Sequence, residues 1–150
     1  MNTKKLLLAC ALLLGACGYG CSRDATISGR VYFNSDQPDP IPAVNVVVTL
    51  ADTWYVQVGG DYKAQGFSNE KGEFRFTGIY EAGDDYAIIA DYSTATNTPE
   101  GFDPVMAEAN GKPAPDYQPG SYIVLLQPID IQVGDAPTHL EDVTFLLLSF

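Results

Sequence analysis

From Ala25 onward, apolar and polar residues alternate with a period of two, the spacing that puts one face of a strand inward and the other outward. In "ATISGRVYF" (25–33), Ile27, Gly29, Val31 and Phe33 share one face, and Thr26, Ser28, Arg30 and Tyr32 share the other. "VNVVVTL" (44–50) puts Val44, Val46, Val48 and Leu50 inward and Asn45 and Thr49 outward. "EFRFTGI" (73–79) does the same with Phe74 and Phe76 against Glu73 and Arg75. "YAIIADY" (86–92) aligns Tyr86, Ile88 and Ala90. "WYVQVGGDYKAQGF" (54–67) reads as a hairpin around Gly59-Gly60-Asp61, and "SNEKG" (68–72) as a turn. "YIVLLQPIDIQV" (122–133) is a strand whose Pro128 marks an edge, a bulge or a change of sheet, because proline donates no ladder bond. "EDVTFLLLSF" (141–150) ends the chain as a strand apolar on both faces. About seven short strands with turns between them predict an all-β fold, an antiparallel β-sandwich.

Two stretches break this rhythm. "SDQPDPIPA" (35–43) reads as a loop, and residues 93–121 as a much longer one. The second carries five prolines and three glycines in 29 residues, with "PVMAEAN" able to form a turn or two of helix. A connection of that length is usually functional or disordered. Phe102, Met106 and Tyr117 within it favour a functional one.

The N-terminus has a different pattern. Met1 to Lys5 is short and positive, Leu6 to Leu14 is an apolar run of nine, and Gly15 and Ala16 are small. That order is the layout of a secretory signal peptide, and the run is too short to span a bilayer. Leu14-Gly15-Ala16-Cys17 resembles the lipobox of bacterial lipoproteins. The resemblance implies cleavage before Cys17, a diacylglycerol thioether on its sulfur and an acyl chain on its new amine. Each buried methylene contributes about 0.8 kcal/mol, and two or three chains hold a protein on the membrane. The chain thus divides into a signal peptide (1–16), a lipidated tether (17–24) and a β-domain (25–150) with the 93–121 insertion. Gly18, where some Gram-negative lipoproteins carry an inner-membrane-retaining Asp, favours the outer membrane by the same resemblance. Cys21 is a remaining thiol.

Charge narrows the partners. Removing residues 1–16 takes Lys4 and Lys5 from the eight basic residues and leaves six against 19 acidic, a formal charge of −13. Such a body repels phosphate backbones, so nucleic acid is not the expected partner.

The spacing Gly29/Val31, Pro42, Val44/Val46/Val48, Gly72/Phe74/Phe76 and Tyr86/Ile88/Ala90, closed by Glu141 to Leu147, resembles the carboxypeptidase regulatory-like domain. That resemblance implies a transthyretin-like, Ig-like Greek-key sandwich. The chain departs from it at Asp84-Asp85 and in the 93–121 insertion. Such a fold specifies no chemistry.

Candidate sites are few. There is no G-x-S-x-G, no phosphate loop and no Cys–His pair, and His139 stands alone in "APTHLED". No enzyme and no cofactor are expected. Glu81, Asp84 and Asp85 crowd one turn and form a weak Ca²⁺ candidate, but without EF-hand spacing they read more simply as a solvated acidic turn. Tyr55, Phe102 and Tyr117 are the candidate binding aromatics, suited to stacking on sugars or anchoring an interface. The sequence therefore predicts a lipid-anchored envelope protein carrying a non-catalytic binding or structural module for a protein or glycan. The alternative is a hydrolytic or metal-dependent envelope enzyme on the same scaffold.

Overall fold

The structure is a computed structural model that describes residues 22–35, 37–52, 62–81, 85–130 and 138–150. It is all-β, with ten strands among the described residues in two sheets. These are β1 (Ser22–Ser35), β2 (Ile41–Pro42), β3 (Val47–Asp52), β4 (Ala64–Phe67), β5 (Glu73–Glu81), β6 (Asp85–Asp91), β7 (Met106–Ala109), β8 (Lys112–Pro113), β9 (Ile123–Asp130) and β10 (Thr138–Ser149). The first sheet runs β2-β1-β10-β7-β8, and β5 pairs with the N-terminal part of β1 on the side that β2 takes further along. The second runs β4-β3-β6-β9.

The strand count thus exceeds the expected seven, and the pairing is mixed rather than antiparallel, since β1 and β10 run parallel. Short strands explain the first difference. Ile41–Pro42, inside the expected loop 35–43, pairs with Tyr32 and Phe33. β7 and β8 lie inside the 93–121 insertion and join β10. The expected helical turn in "PVMAEAN" is corrected accordingly: Met106–Ala109 is strand. Ala107 and Ala109 alternate into the core, and pairing with β10 outweighs the modest helix preference of Met, Ala and Glu. Asn110 (φ 52°) and Gly111 (φ 71°) make the two-residue turn between β7 and β8, the Asn-Gly pair that a tight hairpin favours.

β1 begins at Ser22, three residues before the expected start of the body. Its inward residues Ile27, Val31 and Phe33 meet Phe74 and Phe76 of β5, Val143, Phe145 and Leu147 of β10, and Val48, Leu50, Tyr86, Ile88 and Val124 of the second sheet in one core cluster. Pro128 lies on β9, an edge strand, where the register slips: Tyr86 faces Ile129 and Ile88 faces Leu126, so β9 holds one extra residue. Two of the sites open to a proline, an edge and a bulge, coincide there.

A second bulge shapes the outer surface. Ile27 pairs with Leu140 but Gly29 with Val143, so β10 carries one residue too many, and Asp142 takes φ 59°. The bulge brings the Val143 carbonyl so close that a Cβ at Gly29 would lie 1.8 Å from its oxygen. Gly29 is glycine because nothing larger fits beneath that carbonyl.

Candidate functional site

The residues singled out from the sequence do not form one site. Cys17 and Tyr55 lie outside the described residues, as does Asp84. Glu81 ends β5 and Asp85 begins β6, strands of different sheets. Among the described residues no group of three or more His, Cys, Asp or Glu is placed to hold a metal ion. His139 sits in β10 opposite Thr26.

Phe102, one of the candidate binding aromatics, packs in the core. It is 8% exposed, and its ring meets Phe33 edge-on at 4.9 Å, beside the Phe33–Tyr92 contact at 5.2 Å. Tyr117 is half-buried against the same core, and its hydroxyl donates to the Ser121 carbonyl at 2.6 Å. Burial, then the neighbouring Tyr122 and Asp103, holds the Tyr117 hydroxyl above its usual pKa. The whole segment is stitched to the body. The Val44 N–H donates to Asn97 Oδ1, and Asn97 Nδ2 donates to the Pro42 carbonyl, each at 2.8 Å. The Val105 N–H donates to the Leu148 carbonyl, and the Tyr122 hydroxyl to that of Phe102.

Among the described residues a concavity lies elsewhere, where the chain crosses from β4 to β5. An open groove of about 420 Å³ is lined by Ser28 and Arg30 of β1, Phe67 and Asn69, Glu73 and Arg75 of β5, and Asp142 of the β10 bulge. Its polar groups are ordered from the backbone up. Asn69 Oδ1 accepts from the N–H groups of Lys71 (2.9 Å) and Glu73 (3.0 Å), the side-chain turn that Asn favours. Asn69 Nδ2 in turn donates to Glu73 Oε2 at 3.2 Å. The other Glu73 oxygen faces the Arg30 guanidinium at 3.6 Å, because the two residues are register partners in the β1–β5 ladder. The Arg30 pKa is raised, first by a side-chain hydrogen bond with Tyr32 and then by the charges of Glu73 and Asp142. Arg75, register partner of Ser28, has no ion pair among the described residues.

Phe67 stands at this groove with 58% of its surface exposed. Its backbone is fixed by the next residue, Ser68, which is buried. Ser68 Oγ donates to the Ala43 carbonyl (2.7 Å) and accepts from the Val46 N–H (2.8 Å). The Ser68 N–H donates to the Val46 carbonyl, and its own carbonyl accepts from Asn45. Alternation marks Arg30, Glu73 and Arg75 as outward, but their convergence depends on the β1–β5 register and the bulge, which no local pattern encodes.

Compared with known proteins, the chain matches no protein-family model and no curated protein.

Proposed function

We propose that this chain is a cell-envelope lipoprotein, anchored through acyl chains on Cys17, whose folded body is a non-catalytic binding module for a glycan or protein. The two sheets are read as a Greek-key β-sandwich of the transthyretin-like, carboxypeptidase regulatory-like kind. The anchor rests on the order of charges, apolar run and Leu14-Gly15-Ala16-Cys17 in the sequence. Among the described residues no helix is long and apolar enough to cross a membrane. The binding role rests on one observation, the preorganised groove between Arg30, Glu73, Arg75, Phe67 and Asp142. Its size falls among small-ligand sites, about 300–1,000 Å³.

The groove contains two carboxylates, as a hydrolase would need. However, a general acid is usually a desolvated carboxyl, whereas Asp142 is exposed and Glu73 is already engaged by Arg30 and Asn69. That arrangement favours recognition over proton transfer. The anchor is tested by labelling cells with a fatty acid: label should follow the protein and vanish in Cys17→Ser. Label that persists, or that tracks Cys21, refutes the assignment.

A further inference from the structure

We infer that the groove binds a neutral, hydroxyl-rich oligosaccharide, with Phe67 as the surface on which a sugar ring stacks. The inference rests on the binding-module reading above and adds the ligand class to it.

Charge decides the class. The groove holds two guanidinium groups, Arg30 and Arg75, and two carboxylates, Glu73 and Asp142. An anionic ligand meets both carboxylates and the field of a body with formal charge −13 beyond Ala16. A cationic ligand meets both arginines. A neutral polyol is repelled by neither pair, and its hydroxyls both donate and accept. Carboxylates accept and guanidinium groups donate in fixed planar geometry, so a mixed lining suits neighbouring hydroxyls.

The aromatic supports the same class. An exposed apolar side chain alone means little. Phe67 differs because it lines a concave polar surface and because buried Ser68 pins the backbone beside it. A sugar ring carries an apolar C–H face and a polar rim, which matches a groove lined by an aromatic ring together with Asn69 and Arg75. The polar side is also ordered in advance, since Glu73 is braced by Arg30 and Asn69, and bracing lowers the entropy lost on binding.

The test uses the full acylated protein in a detergent without a sugar headgroup. It is presented with neutral hexasaccharides (α-1,4-glucan, β-1,4-glucan, mannan, xylan) and with oligogalacturonate as the acidic control. At least one neutral hexasaccharide should bind, and Phe67→Ala and Arg75→Ala should each weaken it tenfold or more while the melting midpoint stays in place. Binding to oligogalacturonate alone, binding indifferent to both substitutions, or no binding at all overturns the inference. A photocrosslinking residue in place of Asp142, used in intact cells, separates this failure from failure of the broader reading. If no hexasaccharide binds but a protein crosslinks there, the sugar class is wrong and the binding module stands. If neither occurs, both are wrong.

Discussion

Residues 93–121 and residues 67–73 both connect strands of this two-sheet body, and their side chains go to opposite uses. The long connection turns inward: Phe102 seats on Phe33, Ala107, Ala109 and Ala114 enter the core, and β7 and β8 extend the first sheet. The short one turns outward. It holds Phe67 in solvent and links Asn69 to Glu73 and Arg30 along the groove. Length and aromatic content point to the long segment as the functional one. Both are bonded to the body, and what separates them is how much of each is held there. The long segment bonds to Pro42, Val44, Thr144 and Leu148 of the body, so it is part of what the body needs to fold. The short segment is tied down at its two ends, Ser68 to Ala43, Asn45 and Val46 and Gly72 to Val31, and between them it closes its turn on Asn69. Its outward side chains are then unconstrained by the core.

The largest effect expected from this contrast comes from exchanging residues 96–118 for a short Gly/Ser linker. Losing the Phe102 side chain alone should cost about 3–5 kcal/mol, against a total stability of about 5–15 kcal/mol. Losing the β7–β8 hairpin as well should abolish cooperative thermal unfolding by circular dichroism. An unchanged midpoint would make the long segment an independent loop and dissolve the contrast.

Gly29→Ala comes next. The added methyl would collide with the Val143 carbonyl, which cannot withdraw without undoing the Asp142 bulge. A cost of about 3 kcal/mol is expected, the upper range for overpacking. Gly111→Ala meets no atom within 4 Å and bears only its positive φ (71°), a penalty of about 1–2 kcal/mol. Chemical denaturation of the pair should rank them in that order. Equal losses would mean that the bulge is soft and the groove floor with it.

The aromatic knot that the long segment completes also has a pH signature. Tyr92 is fully buried, and burial pushes its hydroxyl pKa far above the ordinary value of 10.0. Below about pH 10 the residue is neutral in both folded and unfolded chains, so its ionisation leaves stability untouched. Above that, the unfolded chain releases the proton and the folded chain keeps it. Stability should then fall by about 1.4 kcal/mol per pH unit for this group. Tyr92→Phe removes the term at the expense of a 3.3 Å acceptor for the Tyr32 N–H. The wild-type protein should lose stability faster than the variant between pH 10 and 11.5, and parallel curves would refute the burial argument.

Much of this body is legible in the sequence because period-two alternation is a local property. Val31 and Phe33, Phe74 and Phe76, and Tyr86 and Ile88 all lie inward as the pattern predicts, and Pro128 sits where a proline is tolerated. The β7–β8 hairpin is harder to read: Asn110-Gly111 is a strong turn signal, but five prolines around it mask the short alternation of Ala107 and Ala109, and the stretch reads as loop or helical turn. The parallel β1–β10 pair is not legible. It joins residues more than a hundred positions apart through a route that visits the other sheet between. The groove inherits that difficulty, because Arg30 meets Glu73 through β1–β5 pairing and Asp142 only through the bulge.

The smallest effect on stability should come from the groove itself, and it tests the contrast from its other side. Phe67 is an aromatic in a strand, which on composition alone belongs to the core. With 58% of its surface exposed it has little burial to lose. Phe67→Ala should therefore change unfolding free energy by no more than about 0.5 kcal/mol, the range of a surface substitution. Glu73→Gln should be equally mild, because its partner Arg30 is solvent-exposed and such pairs contribute little. Both variants should melt with the parent protein, in contrast to the 96–118 replacement. A loss of several degrees in Phe67→Ala would mean that the ring seals the gap between β4 and β5. The two connections would then share one structural role, and the groove would lose its claim as the place where the chain meets a ligand.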